Sequence, residues 1–484
     1  MSTIHLKDNS WYVNNWILND FGQDSYGRKP EKLELARGNS EILHVLTSST
    51  IGELMADEEC EVLVLPNSFN EGYDELKSQY IFRITEKDGK TIDSVTTNNV
   101  VGFIGKGNTD IRIHSRFASS NDTDFFLYYM LEEVMAINTF SLSSSGKEPE
   151  VFDFLLLFFP RLLKEAMSQG MYKKYVYHEY NDANIRGVVD VNRHIRLNIP
   201  ANGKIAYRTR EFSYDNPVTQ LIRHTIEFIR RKQFGKAVLH NDPDTEGYVQ
   251  QIIQATPTFQ PQQRQAIINE NLRPVAHPYY TKYAALQNLC LRILRYEKLS
   301  YGNDSNNKIH GLLIDAAWLW EEYVAKVLSE GENGLKHYTR KGRDYHLFVK
   351  GDIAFQQIIP DYCDEDNKIV ADAKYIPLHR YDRLEADRAS AVYYKTIMYM
   401  YRFDTKMGFL FHPVAQEEAE NEGVLIDTYD IEGREDCKLH KVGLVVPKIN
   451  DGGYVKFKKL MQGSEDDKGR EKVFVEQIKR AAHL

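Results

Sequence analysis

The segment Ile358 to Tyr375, IIPDYCDEDNKIVADAKY, brings two carboxylates and an ammonium into an order that can do chemistry. Asp361 closes an apolar run, and Asp372 and Lys374 stand two residues apart in the next one, so on a strand both side chains leave the same face. Hydrolysis of a phosphodiester needs oxygen ligands that hold a hard cation against a non-bridging phosphate oxygen, and a means of producing hydroxide. Asp361 and Asp372 can hold the cation, the backbone carbonyl of Ala373 can add a ligand, and Lys374 can orient the attacking water or stabilise charge developing on phosphorus. Glu321, in AAWLWEEYVAKVLSE (316–330), is the candidate that orients water or completes a second cation site, with Trp318, Leu319, Tyr323 and Val324 available to fix its helix by packing. The sequence leaves one cation or two open. Residue types alone fit a solvated cluster of charges as well, because Asp and Lys are common surface residues.

Such a site needs a strand under Asp372 and Lys374 and a helix under Glu321, and the surrounding pattern supplies both. After helix 316–330 come strands and turns over HYTRKGRDYHLFVKGDIAFQQIIPDY, a buried strand in NKIVADAKYIP and a helix in ADRASAVYYKTIMYMYRF, which is an α/β order. GFLFHPV and LVVP are further short strands, and SEDDKGREKVFVEQIKRAAHL is expected as a terminal helix on a solvated face. Residues 151 to about 300 read as mainly helical. FDFLLLFFPRLLKEAMSQG closes at Gly170, and NPVTQLIRHTIEFIRRKQF (216–234) has Asn216 to cap a helix and Pro217 for its first turn. Between them, 184–216 is expected as alternating short strands interleaved with Arg186, Arg193, Arg196, Arg208 and Arg210. TPTFQPQQRQ (256–265) reads as a polar connection, YYTKYAALQNLCLRILRYE (279–297) as a helix and SYGNDSNNKIHG (300–311) as a linker. Upstream, EVLVLP (61–66), YIFRITE (80–86) and DIRIHSRF (110–117) predict strands, 124–135 a helix and SLSSSGKEPE (141–150) a surface connection. The expectation is a multidomain α/β protein: a mixed, strand-rich module over 1–145, a mainly helical middle region over 146–305 and a last module over 306–484 that carries the site.

The whole chain sets bounds on function. With 61 Lys and Arg against 69 Asp and Glu, its net charge of -8 argues against bulk attraction to DNA, so any nucleic-acid contact must use a local basic surface or a basic partner. Cys60, Cys290, Cys363 and Cys437 have no paired metal-ligand spacing and suit the reduced state of a cytoplasmic protein. The opening MSTIHLKDNSWYVNNW lacks the basic and apolar regions of a secretory signal. VFDFLLLFFPRLL (151–163) is broken by Pro160 and Arg161, short of the roughly 20 residues that span a bilayer. GFIGKG (102–107) is followed by Asn108 instead of a hydroxyl, so it is expected as a turn between strands and this chain is expected to bind no nucleotide. His194, His224, His240 and the two histidines of HYTRKGRDYH have no zinc-site spacing, while Arg340, Lys341 and Arg343 form a small basic patch that suits a DNA backbone or a solvated loop. The aromatic stripe of YYKTIMYMYRF can stack on bases but is more cheaply explained as core.

Several ordered elements resemble the McrC family, the nuclease subunit of modification-dependent McrBC restriction systems, whose catalytic module belongs to the PD-(D/E)xK group. The aromatic-Glu pair resembles Trp320-Glu321, PD falls on Pro360-Asp361, and D-x-K-Tyr falls on Asp372-Ala373-Lys374-Tyr375. The N-L-R-G-R element resembles Asn184-Ile185-Arg186-Gly187, and E-F-x-x-D-N resembles Glu211 to Asn216. GFIGKGNTDIRIHSRF and FFLYYML resemble the strand and helix that precede them, so the likeness spans roughly residues 100–415. Where the family often has Gln four residues before Tyr on the helix after D-x-K, this chain has Lys395 before Tyr399, which then faces DNA phosphate or the active site.

The resemblance implies a C-terminal restriction-endonuclease-like domain, Mg2+ or Mn2+ as cofactor, and an McrB-like AAA+ GTPase or ATPase ring as partner, with double-stranded DNA, modified or unmodified, as substrate. Arg186, Arg193, Arg208 and Arg210 become candidates for partner or DNA contact, against the alternative of ordinary strand residues balancing Asp182, Asp190, Glu211 and Asp215. The leading expectation is an endonuclease subunit that cuts when assembled with the ring. A non-catalytic adaptor that stimulates the ring is the competing class, and a stand-alone nuclease the third.

Overall fold

The computed structural model describes residues 2–14, 29–33, 40–57, 60–66, 76–87, 91–107, 109–119, 124–135, 151–232, 235–240, 242–301, 309–330, 336–337, 345–364, 368–379, 387–419, 424–449, 453–464 and 468–482. The chain forms two compact units, one from residues 1–151 with 305–484 and the other from 152–304. The described residues give a mixed α/β protein with several sheets.

In the first unit, β-branched and aliphatic runs build a five-stranded sheet in the order Ser2–Lys7, Thr109–His114, Val100–Lys106, Ile309–Asp315, Cys60–Leu65. Ile309–Asp315 runs antiparallel to Val100–Lys106 and parallel to Cys60–Leu65, which corrects the reading of 300–311 as a linker throughout. Residues 302–308 of that segment lie outside the described residues, but Ile309, Leu312 and Leu313 are buried, and that burial draws the segment into the sheet. GFIGKG is also corrected: it belongs to the strand Val100–Lys106, and the turn falls at Gly107. Gly102 sits at φ 128°, and a Cβ there would come within 2.1 Å of the Leu312 carbonyl oxygen. Glycine therefore serves strand-to-strand approach here. A second sheet of four strands (Glu31–Leu33, Trp11–Asn14, Thr91–Thr97, Phe82–Lys87) shares one apolar core with the first.

The C-terminal part of the same unit is a six-stranded sheet, ordered Lys336–His337, Tyr362–Asp364, Ile369–Ala373, Met407–Ala415, Lys438–Val446, Val424–Asp430. Its centre is parallel, as expected for strands buried on both faces, and Ile369–Ala373 is buried at every residue. Val370 on one face packs with Tyr399 and Met400 of the helix Asp387–Arg402. On the other face Phe411 meets Tyr362 and, from the helix Arg470–Ala481, Phe474, with ring centroids 5.9 and 5.5 Å apart. The terminal helix is thus amphipathic: Phe474, Val475 and Ile478 are buried, and buried Arg470 donates to the Val445 carbonyl at 2.8 Å. His346–Lys350 and Ile353–Gln357 form a separate, exposed hairpin.

The second unit holds helices Val151–Met167, Pro217–Arg230, Pro243–Ala255, Arg264–Glu270 and Tyr283–Tyr301. Asn216 caps Pro217–Arg230 by accepting from the Val218 and Thr219 amides, with Pro217 in the first turn, as the sequence implies. Lys174–Asp182, Ile205–Ser213 and Val188–Val189 form a small antiparallel sheet. The expectation of strands throughout 184–216 needs correction, because Val191–Asn198 is a helix capped by Asp190, which accepts the Arg193 amide at 3.1 Å. Arg193 and Arg196 are helical, and only Arg208 and Arg210 lie on a strand. Pro160 sits inside the helix Val151–Met167, and among the described residues no helix is long and apolar enough to cross a membrane. Cys60, Cys290, Cys363 and Cys437 form no disulfide.

Candidate active site

The strand Ile369–Ala373 pairs in parallel with Met407–Ala415, placing Asp372 opposite Leu410. At its end the Lys374 amide donates to the Phe411 carbonyl at 2.7 Å, and the same oxygen accepts the Trp320 indole N–H at 3.3 Å. One acceptor thus ties the helix Ala316–Glu330 to the strand that carries Asp372. Asp361 directly precedes the strand Tyr362–Asp364, which runs antiparallel beside Ile369–Ala373. Its Oδ2 accepts the Ala373 amide at 2.8 Å, a backbone bond that brings the Asp361 carboxylate to the end of the Asp372 strand. The Tyr362 hydroxyl donates to the backbone carbonyl of Glu321, linking the PD segment to the Glu321 helix.

The Lys374 ammonium pairs with Asp372 Oδ2 and lies 4.0 Å from Asp361 Oδ2. It also stands 3.4 Å from the Ala373 carbonyl oxygen. Asp372 is fully buried, whereas Asp361 and Lys374 keep partial access to solvent. Asp372 Oδ2 meets the Lys374 ammonium, while its buried Oδ1 meets no hydrogen-bond donor among the described residues. Burial, then the charges of Asp372 and Glu321, push the Asp361 carboxyl well above the usual carboxylate range, with Lys374 opposing. Burial also acts to raise Asp372, but Lys374 and then Lys395 outweigh it and hold that carboxyl low. Burial alone would lower Lys374, yet Asp372 and Asp361 reverse this and raise its proton affinity. The group is therefore short of positive charge: an ammonium answers one carboxylate, and the other is shifted toward its protonated form.

Asp361, Asp372, Ala373 and Lys374 come together, and Glu321 acts on them through its charge and through Tyr362. Lys395 lies on the helix Asp387–Arg402 with its ammonium 5.5 Å from the Tyr399 ring centroid. The arginines belong to the other unit. Arg193 is committed internally, to Glu179 at 3.0 Å and the Tyr180 carbonyl at 2.7 Å. Arg186 reaches Asp182 at 3.7 Å and the Tyr207 hydroxyl at 3.2 Å. Arg208 and Arg210 are exposed and lie over the rings of Tyr177 and Tyr175, 5.8 and 4.3 Å from their centroids. Arg340, Lys341, Arg343 and the connection 141–150 lie outside the described residues. Among the described residues, no group of three or more His, Cys, Asp or Glu side chains is gathered as a ready-made metal cage.

Sequence reasoning missed the two residues that lock this geometry. Tyr362 adjoins Asp361 and is fully buried, but nothing in its spacing announces a bond to Glu321. Phe411 acts through its carbonyl, which no side-chain pattern reveals. Trp320, fully buried, anchors the Glu321 helix along with Leu319, Tyr323 and Val324, whereas Trp318 is only half-buried.

Paired acids and a lysine thus stand at the end of a buried central strand of a mixed sheet, and comparison with known proteins gives the family. Residues 95–413 match the family described as McrBC 5-methylcytosine restriction system component, and the chain belongs to that family. No curated protein matches the chain. A chain from a refined half-complex of a tetradecameric assembly of Thermococcus gammatolerans McrB AAA+ hexamers with bound McrC is 14% identical, with a TM-score of 0.49, covering 99% of this chain and 100% of its own. A chain from the Thermococcus gammatolerans McrBC complex is 13% identical, with a TM-score of 0.32, covering 68% of this chain and 88% of its own.

Proposed function

We propose that this chain is the McrC-like subunit of an McrBC-type (type IV) restriction system, a metal-dependent DNA endonuclease of the PD-(D/E)xK group with residues 306–484 as its nuclease domain. The observation that carries this reading is the convergence of Asp361, Asp372 and Lys374, with a buried Asp372 that meets Lys374 through Oδ2 and has no donor on Oδ1. Buried carboxylate oxygen without a donor, beside a second carboxylate driven to hold a proton, fits a hard divalent cation. Asp361, Asp372 and the Ala373 carbonyl would hold it, with Glu321 completing the set. When bound, Mg2+ or Mn2+ supplies Lewis-acid polarisation of the phosphate and lowers the pKa of water.

Lys374 orients the attacking water and stabilises the negative charge that develops on the phosphoryl oxygens. Glu321 orients water from the helix side, held by the Tyr362 and Trp320 bonds. Cutting takes place in the cytoplasm on double-stranded DNA. Residues 1–145 and 146–305 serve partner or target contact, and an AAA+ ring hydrolyses GTP or ATP in place of this chain. Arg186, Arg208 and Arg210 present guanidinium groups for that contact, while Arg193 is held by its own unit. The test is Mg2+-dependent cleavage by the full chain with its ring partner and nucleotide, alongside Asp372→Asn and Lys374→Gln. Loss of cutting in both, with partner hydrolysis still stimulated, is the expected result. Stimulation without cutting in the unmodified chain would mark a non-catalytic adaptor.

A further inference from the structure

The helix Asp387–Arg402 turns only part of its surface to the sheet. Val392 and Tyr393 pack beside Leu378 and Leu410, while Tyr399 and Met400 pack against Val370 and Cys363. On the outer side Tyr394, Met398 and Tyr401 are 69%, 38% and 67% exposed. Their spacing of four and then three residues sets them on one stripe. The sequence reading of this aromatic run as core holds for Tyr399 and fails for these three. Tyr394 and Tyr401 leave most of their surface in water, and an apolar stripe exposed on a well-anchored helix calls for a contact.

Two observations identify the chemistry of that contact. Lys395 and Arg402 flank the stripe and are exposed, although Arg402 Nε donates to the His346 carbonyl at 2.9 Å, and between Asp387 and Asp404 the sequence has no acidic residue, in a chain whose net charge is -8. A patch of rings and cations without acids suits a polyanion that also carries flat apolar surfaces. The helix that carries the patch also lies on the strand of Asp372.

We propose that this outer face holds an unpaired stretch of the DNA strand next to the scissile phosphate, with Tyr394 and Tyr401 stacking on bases and Lys395 and Arg402 taking flanking phosphates. The proposal deepens the nuclease reading and rests on it for the direction in which the strand runs. Seven residues of helix put the two tyrosines about 10 Å apart along the axis. At about 3.4 Å of rise per nucleotide, that separation is about three nucleotides of one strand.

Fluorescence anisotropy of the full chain with a labelled single-stranded oligonucleotide and with the duplex of the same sequence, in Ca2+, tests the surface. Tyr394→Ala with Tyr401→Ala is expected to weaken single-strand binding by about tenfold or more, from the usual worth of stacked bases. Tyr394→Phe with Tyr401→Phe keeps the rings and is expected to bind as the unmodified chain, which separates lost stacking from a damaged fold. Lys395→Gln and Arg402→Gln should each reduce the salt dependence of log K by about 0.7. The proposal is overturned if the alanine pair binds the single strand as well as the unmodified chain, if the unmodified chain does not bind it, or if the alanine pair changes only self-association in sedimentation. Cleavage by Asp372→Asn is read separately. If that variant cuts normally, the catalytic reading fails and the binding surface stands; if binding is unaffected by the tyrosines while cutting needs Asp372, the surface fails alone.

Discussion

Asp361 and Asp372 share one shortage of positive charge, and the two resolve it differently. Lys374 keeps Asp372 ionised, while Asp361 is driven toward its protonated form by burial and by its acidic neighbours. A carboxyl whose folded-state pKa is raised supports the fold at pH values below its unfolded pKa, and that support is lost as pH rises through the folded value. A divalent cation held by Asp361 and Asp372 would compete with protonation of Asp361. Mn2+ affinity is therefore expected to climb with pH, by up to about tenfold per unit while Asp361 is protonated. Calorimetry in two buffers of different ionisation enthalpy should register proton release on binding, and Asp361→Asn should abolish it. Metal binding with no proton release would contradict this account of the site. The sequence made the Asp372 and Lys374 relation legible, because two-residue spacing on an apolar strand fixes a common side. The approach of Asp361 depends on an antiparallel pairing and on one bond to the Ala373 amide, which spacing along the chain does not encode.

At the scale of elements, the Glu321 helix is held by the Trp320 indole on Phe411 and by Tyr362 on the Glu321 carbonyl. Trp320→Ala removes a fully buried ring and is expected to cost about 3–5 kcal/mol in urea unfolding. Tyr362→Phe keeps the ring and removes one hydrogen bond, a loss of about 1 kcal/mol. Its larger effect should fall on catalysis, as a rise in the Mg2+ concentration needed for half-maximal cutting. An unchanged Mg2+ requirement would make Tyr362 structural only.

In the second unit, buried His224 has its pKa lowered to about 4, chiefly by burial and then by Arg264 and Arg223. The neutral ring is what the fold accepts, so its contribution is intact above about pH 6.5 and lost as pH falls toward 4, on the order of 3 kcal/mol. His224→Gln should flatten the fall in stability of the chain across that window, and an identical pH profile would show that other groups control it. The helix Pro217–Arg230 was legible through Asn216 and Pro217, since caps are local signals. Val191–Asn198 was not, because its alternating polar and apolar residues suit a strand until Asp190 is seen to cap a helix. Exposure of Tyr394 and Tyr401 was equally hidden, because helical spacing names a stripe without saying which side meets the sheet.

At the scale of the whole molecule, the strand Ile309–Asp315 joins a sheet whose other strands come from the first part of the chain, and the 152–304 unit is inserted between the two parts. Apolar pattern predicted the strand at 61–66, but it read 300–311 as a linker, and the long-range pairing of Ile309–Asp315 with Cys60–Leu65 was beyond it, since neither segment carries a partner's signature. Exposed Arg208 and Arg210, each over a tyrosine ring, remain the strongest partner-contact candidates in the inserted unit. Replacing both by Ala is expected to weaken association with the AAA+ ring by more than about 1 kcal/mol, measured as a lower apparent affinity in nucleotide-hydrolysis stimulation. Stimulation at unchanged affinity would place the contact elsewhere.

The central claim, that Asp361, Asp372 and Lys374 form a metal-dependent nuclease centre, is met most directly by DNA cleavage in Mg2+ with the full chain, its AAA+ partner and nucleotide, comparing the unmodified chain with Asp372→Asn. The account predicts cutting of DNA by the unmodified assembly and a loss of at least about a hundredfold in the variant, with partner hydrolysis still stimulated. Equal cutting by both, or stimulation of the partner with no cutting by either, would contradict it.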